Sequence, residues 1–290
     1  MKALIFGSNG QLACEFKKKF EFDKEIYQVG SSEVDFLKPD QITKLIKEFK
    51  PKFIINCSAY TAVDKAESDQ ATALQINGFA LGVMGEAAKK VGATVIHYST
   101  DYVFNGESKI GYNETDKVDP INYYGYSKLI GENNLRETCD KHLIFRVSWV
   151  YGIYGNNFLK TILRLAKERL ELKIVHDQHG APTSSSAIAE ATLRALADPE
   201  VTDKAGLYHM SPHGNTSWYG FTEKILELTV KEQQKFKIIT ESVIPITSDQ
   251  FPSAAKRPKN SLLLSKKLMD TFQIELPEWS ESLKLVLKAL

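Results

Sequence analysis

Five short apolar runs alternate with longer stretches of helical period in the first half of this chain, and that rhythm limits the fold more than any other feature. Ala3–Phe6, Ile26–Val29, Phe53–Asn56, Thr94–Tyr98 and Leu143–Val147 read as strands, and helices are expected near 11–21, 40–49, 70–90 and 123–138. Strands joined by helices form parallel sheets covered on both faces. Pro39 near one helix start and Pro51 just past its end are tolerated there. The expectation is an α/β fold: a doubly wound parallel sheet of Rossmann type. After residue 150 the rhythm changes. Helices are expected over Asn156–Leu170, Ser184–Ala197 and Ser217–Lys231, strands over Gly206–Met210 and Lys237–Ile244, and a final helix from about Glu278. Residues 245–262 hold three prolines and read as an ordered surface loop. Residues 1–150 should form the sheet domain and 151–290 a smaller C-terminal lobe interleaved with it.

Composition removes several classes of function. A net charge of +1 gives no broad field for nucleic acid or an anionic membrane. Cys14, Cys57 and Cys139 are far apart and odd in number, so neither a disulfide frame nor a zinc knuckle is indicated. The opening Met-Lys-Ala-Leu-Ile-Phe-Gly is too short for a signal-peptide core, and no apolar stretch approaches membrane-spanning length. A cytoplasmic location follows as an expectation.

The first expected strand runs into Gly7-Ser8-Asn9-Gly10-Gln11-Leu12-Ala13. Gly7 permits a tight turn and Gly10 lets backbone approach a pyrophosphate. Free N–H groups of the following helix favour the anion. The spacing Gly-x-x-Gly-x-x-Ala suits the short-chain dehydrogenase class. Two glycines in a loop are common; their place between a clear strand and a clear helix makes a nucleotide site the expectation.

Tyr124-Gly-Tyr-Ser-Lys128 puts a Tyr and a Lys four apart at a helix start, on one face. A neighbouring ammonium favours the phenolate, so the Tyr can pass a proton near neutral pH. The pair alone could be an exposed surface pair. The segment Val95-Ile-His-Tyr-Ser-Thr100-Asp changes that weighing, because it is an apolar strand with hydroxyls at its carboxyl end, where ligands sit in such sheets. Thr100 can bond both a substrate carbonyl oxygen and the Tyr124 hydroxyl. The three residues together suggest hydride transfer at a carbonyl carbon.

A resemblance follows from longer stretches. Asn-Cys-Ser-Ala-Tyr-Thr-Ala-Val-Asp-Lys-Ala-Glu (56–67), His-Tyr-Ser-Thr-Asp-Tyr-Val-Phe (97–104), Tyr-Gly-Tyr-Ser-Lys-Leu-Ile-Gly-Glu (124–132), Phe-Arg-Val-Ser-Trp-Val-Tyr-Gly (145–152), Gly-Asn-Asn-Phe (155–158), Asp-Gln-His-Gly-Ala-Pro-Thr (177–183) and Arg-Pro-Lys-Asn-Ser (257–261) join the glycine loop in order along nearly the whole chain. Together they resemble the dTDP-4-dehydrorhamnose reductase family of extended short-chain dehydrogenases. The resemblance implies reduction of dTDP-4-dehydro-β-L-rhamnose at C4, with Tyr124 as proton donor, Lys128 as its partner and cofactor contact, and Thr100 tuning Tyr124. It implies cofactor contacts at Gly7, Gly10, Gln11, Leu12, Gly30, Asp35, Phe36, Ala59, Tyr60 and Thr61. It implies sugar-nucleotide contacts at Tyr98, Thr100, Asp101, Trp149, Arg257 and Asn260. NADPH is the expected cofactor, with NADH also usable, and a homodimer stays open.

Two departures stand out. Some family members hold magnesium between subunits through glutamates. Glu15 matches one such position, but Ser186 and the Lys-Ala-Leu terminus stand at the others, which argues against a metal-bridged dimer. Gly30 stands where an acidic residue often follows the second strand; it should leave room for a 2′-phosphate, with Ser31 and Ser32 as donors and Glu33 as a complication. Asp64 and Glu67 read as a capping arrangement. His176 and His179, and His209 and His213, lack companions for a metal site. Related dehydratases carry Asp-Glu after the Thr; here Asp101-Tyr102 lacks the second carboxylate. The regulatory subunit of methionine adenosyltransferase also resembles this family, so a non-catalytic NADP-binding subunit is the alternative reading.

Overall fold

The structure is a computed structural model that describes residues 1–21, 23–230 and 233–290. In the first half the order is β1 (Ala3–Phe6), α1 (Gln11–Lys19), β2 (Ile26–Val29), α2 (Pro39–Phe49), β3 (Phe53–Asn56), the short helices α3 (Val63–Ala66) and α4 (Gln70–Leu74), a π turn at Gln75–Phe79, α5 (Ala80–Val91), β4 (Thr94–Thr100), α6 (Tyr123–Thr138) and β5 (His142–Val147). Then come β6 (Val150–Tyr151), α7 (Phe158–Ala166), β7 (Glu171–Val175), β8 (His179–Gly180), β9 (Thr183–Ser184), α8 (Ser185–Leu196), β10 (Gly206–His209), β11 (Thr216–Ser217), α9 (Trp218–Val230), α10 (Gln233–Phe236), β12 (Ser242–Ile246), α11 (Lys266–Phe272) and α12 (Trp279–Ala289).

The main sheet is parallel throughout, in the order β2-β1-β3-β4-β5-β10. The chain turns outward to β2 from β1 and then reverses through β3, so a crevice opens beyond the carboxyl ends of β1 and β3. Alternation along each strand builds two cores. Ala3, Ile5, Phe53, Ile55, Ile96 and Phe145 face α1 and α8. Leu4, Phe6, Ile54, Val95 and Ile144 face α2, α5 and α6. A third core, around Tyr151, Leu159, Phe221 and Trp279, belongs to the later elements. The later half returns β10 to the first sheet, beside β5.

Several expected boundaries shift for physical reasons. β4 runs two residues past Tyr98, because Ser99 and Thr100 pair with Arg146 and Val147. The helix expected over 70–90 is broken by the π turn. The strand expected over Lys237–Ile244 starts at Ser242: Lys237 has a φ of 52°, and Ile239 N and Thr240 N donate to Ala166 O at the end of α7. Its partner β7 and the helix α11 were not expected. α9 is described to Val230; Lys231 lies outside the described residues. The loop expected over 245–262 begins as the end of β12 and runs along the surface, exposed over 249–254, with Ala255 and Ser261 buried. Among the described residues no helix is long and apolar enough to cross a membrane.

Candidate active site

The glycine loop is shaped by a close approach. Gly7 has a φ of 98°, and a Cβ there would stand 2.9 Å from the Cys57 carbonyl carbon and 3.0 Å from Ser58 N. Only glycine lets the β1–α1 turn touch the loop after β3. Gly10 is the N-cap of α1, and no side chain caps that helix. Its first-turn N–H groups are therefore available to an anion. Gln11 is spent on protein: Oε1 accepts from Asn157 Nδ2 at 2.9 Å, and Nε2 donates to Val150 O at 3.5 Å. Leu12 packs half-buried on the first core. Asp35 accepts from Leu37 N at 2.9 Å, and Phe36 packs edge-on against Phe6.

Ala59, Tyr60 and Thr61 lie on the loop after β3. Asn77, in the π turn, accepts from Tyr60 N at 2.8 Å and donates to Tyr60 O at 3.0 Å and to Ser127 Oγ at 3.0 Å. This single amide ties the loop after β3 to α6. Asn77 had no place in the sequence reading; a polar residue inside an otherwise helical apolar pattern is the only signal for it.

Tyr124 and Lys128 lie in the first turns of α6. Asn122 caps that helix, accepting from Gly125 N at 2.8 Å, and Glu67 Oε1 accepts from Tyr123 N at 2.8 Å. A Cβ at Gly125 would stand 2.1 Å from Tyr102 O, so glycine there lets the helix start press against the turn after β4. Burial pushes the Tyr124 phenol up to about 12, with a Thr100 hydrogen bond pulling the other way. That differs from the expected ammonium-lowered phenol. The reason is geometric: Lys128 Nζ is turned to the strand, donating to Tyr98 O at 2.6 Å and lying 3.1 Å from His97 Nε2. Burial lowers Lys128 to about 7, opposed by Glu132. Thr100 Oγ1 donates to Asp101 Oδ1 at 3.0 Å and accepts from Tyr102 N at 3.1 Å. Asp101 is buried, and burial pushes its carboxyl up to about 6.

Beneath these residues runs a polar seam that sequence reasoning missed. Glu132, one turn beyond Lys128, accepts from Ser99 Oγ at 2.5 Å and takes Arg146 in a two-pronged pair at 2.9 and 2.7 Å. His97, Ser99 and Arg146 share the sheet face that α6 covers. The period of two along β4 and β5 was the signal, but their apolar neighbours masked it.

The proposed sugar-nucleotide contacts do not all converge. Tyr98 points into the opposite core, its hydroxyl 2.8 Å from Thr192 Oγ1, which corrects the expectation that this phenol meets a ligand. Asn260 is also redirected: it donates to Ser108 O at 2.7 Å and accepts from Leu262 N at 3.1 Å, so its amide latches two loops. Trp149 has a φ of 47°, rare for a bulky residue, and stacks on Trp218 with centroids 3.5 Å apart. Trp218 was not anticipated; its Nε1 donates to Gln178 Oε1 at 3.2 Å. Arg257 pairs with Asp64 at 2.8 Å and lines a cavity of about 1410 Å³ shared with Phe158, Arg169, Lys173, Trp218 and Phe251.

Other expectations need correction. Asp64 does not cap its own helix but holds Ala255 N at 3.0 Å and Arg257, while Glu67 caps α6. The room expected beside Gly30 is taken: Glu33 Oε2 accepts from Gly30 N at 2.9 Å, and a Cβ on Gly30 would stand 2.5 Å from Ser8 Oγ. Glu33 thus brings back a carboxylate to the end of β2. Glu15 is buried and accepts from Ser185 Oγ at 3.0 Å. His209 Nδ1 lies 3.0 Å from Tyr112 O in the interior, and His213 is exposed. Among the described residues no three His, Cys, Asp or Glu side chains cluster as a metal site.

Comparison with known proteins adds to this geometry. The RmlD substrate binding domain family matches residues 1–290. The dTDP-4-dehydrorhamnose reductase of Burkholderia thailandensis is 41% identical over 295 residues, covering 100% of this chain and 99% of that protein. A crystal structure of a dTDP-4-dehydrorhamnose reductase from Clostridium acetobutylicum superposes with a TM-score of 0.92 at 38% identity, covering 100% and 99% of the two chains. One from Bacillus anthracis, in complex with NADP, gives a TM-score of 0.91 at 35% identity and covers 100% of both.

Proposed function

This chain belongs to the dTDP-4-dehydrorhamnose reductase family, and from that footing we propose that it reduces dTDP-4-dehydro-β-L-rhamnose to dTDP-L-rhamnose, with NADPH as reductant and NADH also accepted. The observation that carries this reading is the gathering of Thr100, Asp101 and Tyr124 at the carboxyl end of β4, beside the crevice between β1 and β3. The residues suit a dinucleotide: α1 starts without a side-chain cap, and Gly10 at its head carries no side chain. Gly10 to Leu12 would meet the pyrophosphate, and Phe36 and the 59–61 loop would flank the nucleoside halves. When bound, the reduced nicotinamide supplies the hydride that C4 of the sugar receives.

The chain's own part is proton supply and orientation. Tyr124 keeps its phenol proton throughout the neutral range, because burial holds its pKa at about 12. The C4 oxygen takes that proton as the carbonyl becomes a secondary alcohol. Thr100 orients the phenol. Lys128 would hold the nicotinamide ribose. The sugar nucleotide is assigned mainly to residues 151–290, which supply most of the cavity walls. Phe158, Trp218 and Phe251 offer faces to a base, and Arg169, Lys173 and Arg257 offer charge to a diphosphate.

The test is to supply dTDP-4-dehydrorhamnose with NADPH and follow absorbance loss together with product. Tyr124→Phe should lower turnover by roughly 10²–10⁴-fold while NADPH still binds, since general acid catalysis is worth about that much. Near-normal turnover of this variant at saturating substrate would remove Tyr124 from the proposed role.

A further inference from the structure

We infer that His97 is a positioning residue whose ring tautomer sets the proton state of Lys128 and links it to the cofactor-side loop after β3. Ser58 fixes the first orientation. Its backbone N–H can only donate, and it lies 3.0 Å from Asn56 Oδ1. That orients the Asn56 amide, so Nδ2 is the group 3.1 Å from His97 Nδ1. Nδ2 carries only donors, so Nδ1 must accept, and the neutral ring carries its hydrogen on Nε2. A protonated ring would set N–H against N–H. His97 is fully buried, and burial holds its pKa well below the ordinary range.

Nε2–H then points at Lys128 Nζ, 3.1 Å away. Nζ donates to Tyr98 O, which can only accept. An ammonium has no lone pair for the imidazole hydrogen, so this arrangement requires the neutral amine. If Lys128 takes up a proton, the His97 hydrogen must move to Nδ1 and the Asn56 amide must turn. The Ser58 bond then breaks. Ser58 backbone is the surface against which Gly7 packs, so the charge on Lys128 and the shape of the glycine crevice are coupled. The other charged group acting on the pair is Glu132 on α6, which opposes the lowering of Lys128 and is itself held by Arg146 on β5.

The inference rests on the proposed role of Lys128, so it is tested on the cofactor-free full chain, where turnover plays no part. Nitrogen-15 spectra of the histidine rings should show His97 with its hydrogen on Nε2; a hydrogen on Nδ1 at neutral pH overturns the inference. Carbon-13 titration of Lys128 should move up by about one pH unit in His97→Phe, which loses the opposing donor. Asn56→Asp should move it up as well, since a carboxylate holds the hydrogen on Nδ1 and leaves Nε2 to accept. This second variant keeps side-chain volume and covers a folding failure of the first. An unmoved Lys128 midpoint in a folded variant overturns the coupling. The proposed reaction stands or falls separately: turnover with an unmoved midpoint removes only the relay, and the expected spectra without turnover remove only the reaction.

Discussion

Two carboxylates at the crevice make claims that can be weighed residue by residue. Asp101 is buried, and its pKa stands at about 6 against an ordinary 3.8. The native state therefore holds a proton that the unfolded chain has lost, and stability falls as pH rises from 3.8 to about 6. Above that window the full cost applies, about 3 kcal/mol for roughly two units. Asp101→Asn should thus raise the melting temperature by several degrees at pH 8, with the gain fading toward pH 4. A gain of equal size at both pH values would assign it to packing instead. Glu33 makes a different claim. It sits at the end of β2, bonded to Gly30 N, where a carboxylate accepts from ribose hydroxyls and repels a 2′-phosphate. Glu33→Gln keeps the acceptor and removes the charge. The ratio of kcat/KM for NADPH over NADH should then rise about tenfold, as expected for about 1.4 kcal/mol. An unchanged ratio would leave Glu33 as a turn cap only.

At the scale of elements, the sheet was legible and its polar interior was not. β1, β2 and β3 fall where the apolar runs placed them, because each is short, apolar and bounded by a turn. The Tyr124–Lys128 spacing placed both residues on the helix that covers β4. The direction of Lys128 Nζ was hidden, since it depends on His97 and Tyr98 O from a strand about 30 residues away. Tyr98 was misjudged because a strand sends neighbours to opposite faces, and family likeness carries no such information. The π turn was invisible for a related reason: its extra residue turns Asn77 inward only because Tyr60 and Ser127 meet it there. Asn77→Ala would leave Tyr60 N–H without its acceptor, a loss of about 1–3 kcal/mol. Thermal unfolding should come earlier, and calorimetry should show NADPH bound roughly tenfold more weakly. Lower stability with unchanged NADPH affinity would make the π turn a packing feature alone.

At the scale of the whole molecule, the strap at 247–264 bonds to residues of both halves. Asp177 holds Ser248 N at 2.9 Å, and Lys256 O accepts from Asn122, the cap of α6, at 2.8 Å. Asp64 grips both Ala255 N and Arg257, Lys259 O accepts from His179 N at 2.7 Å, and Leu262 O accepts from Tyr112 N at 2.9 Å. The strap thus touches α3, the head of α6 and the floor of the cavity at once. Its polar, proline-rich composition predicted an ordered surface loop, and it is exposed over 249–254, while partners from both halves hold it at the buried Ala255 and Ser261. Asp64 is the grip that reaches from the proposed cofactor side. Burial pushes the Asp64 carboxyl up, but the Ala255 N–H and then Arg257 hold it below the ordinary range; the ion pair is partly exposed, so solvent screens much of its strength. Asp64→Ala should therefore cost about 1 kcal/mol, felt where the strap lines the cavity. We expect dTDP to bind roughly fivefold more weakly to this variant by calorimetry, with NADPH affinity unchanged and the difference shrinking in high salt. Equal losses for both ligands would mean that the strap braces the crevice as well as the cavity.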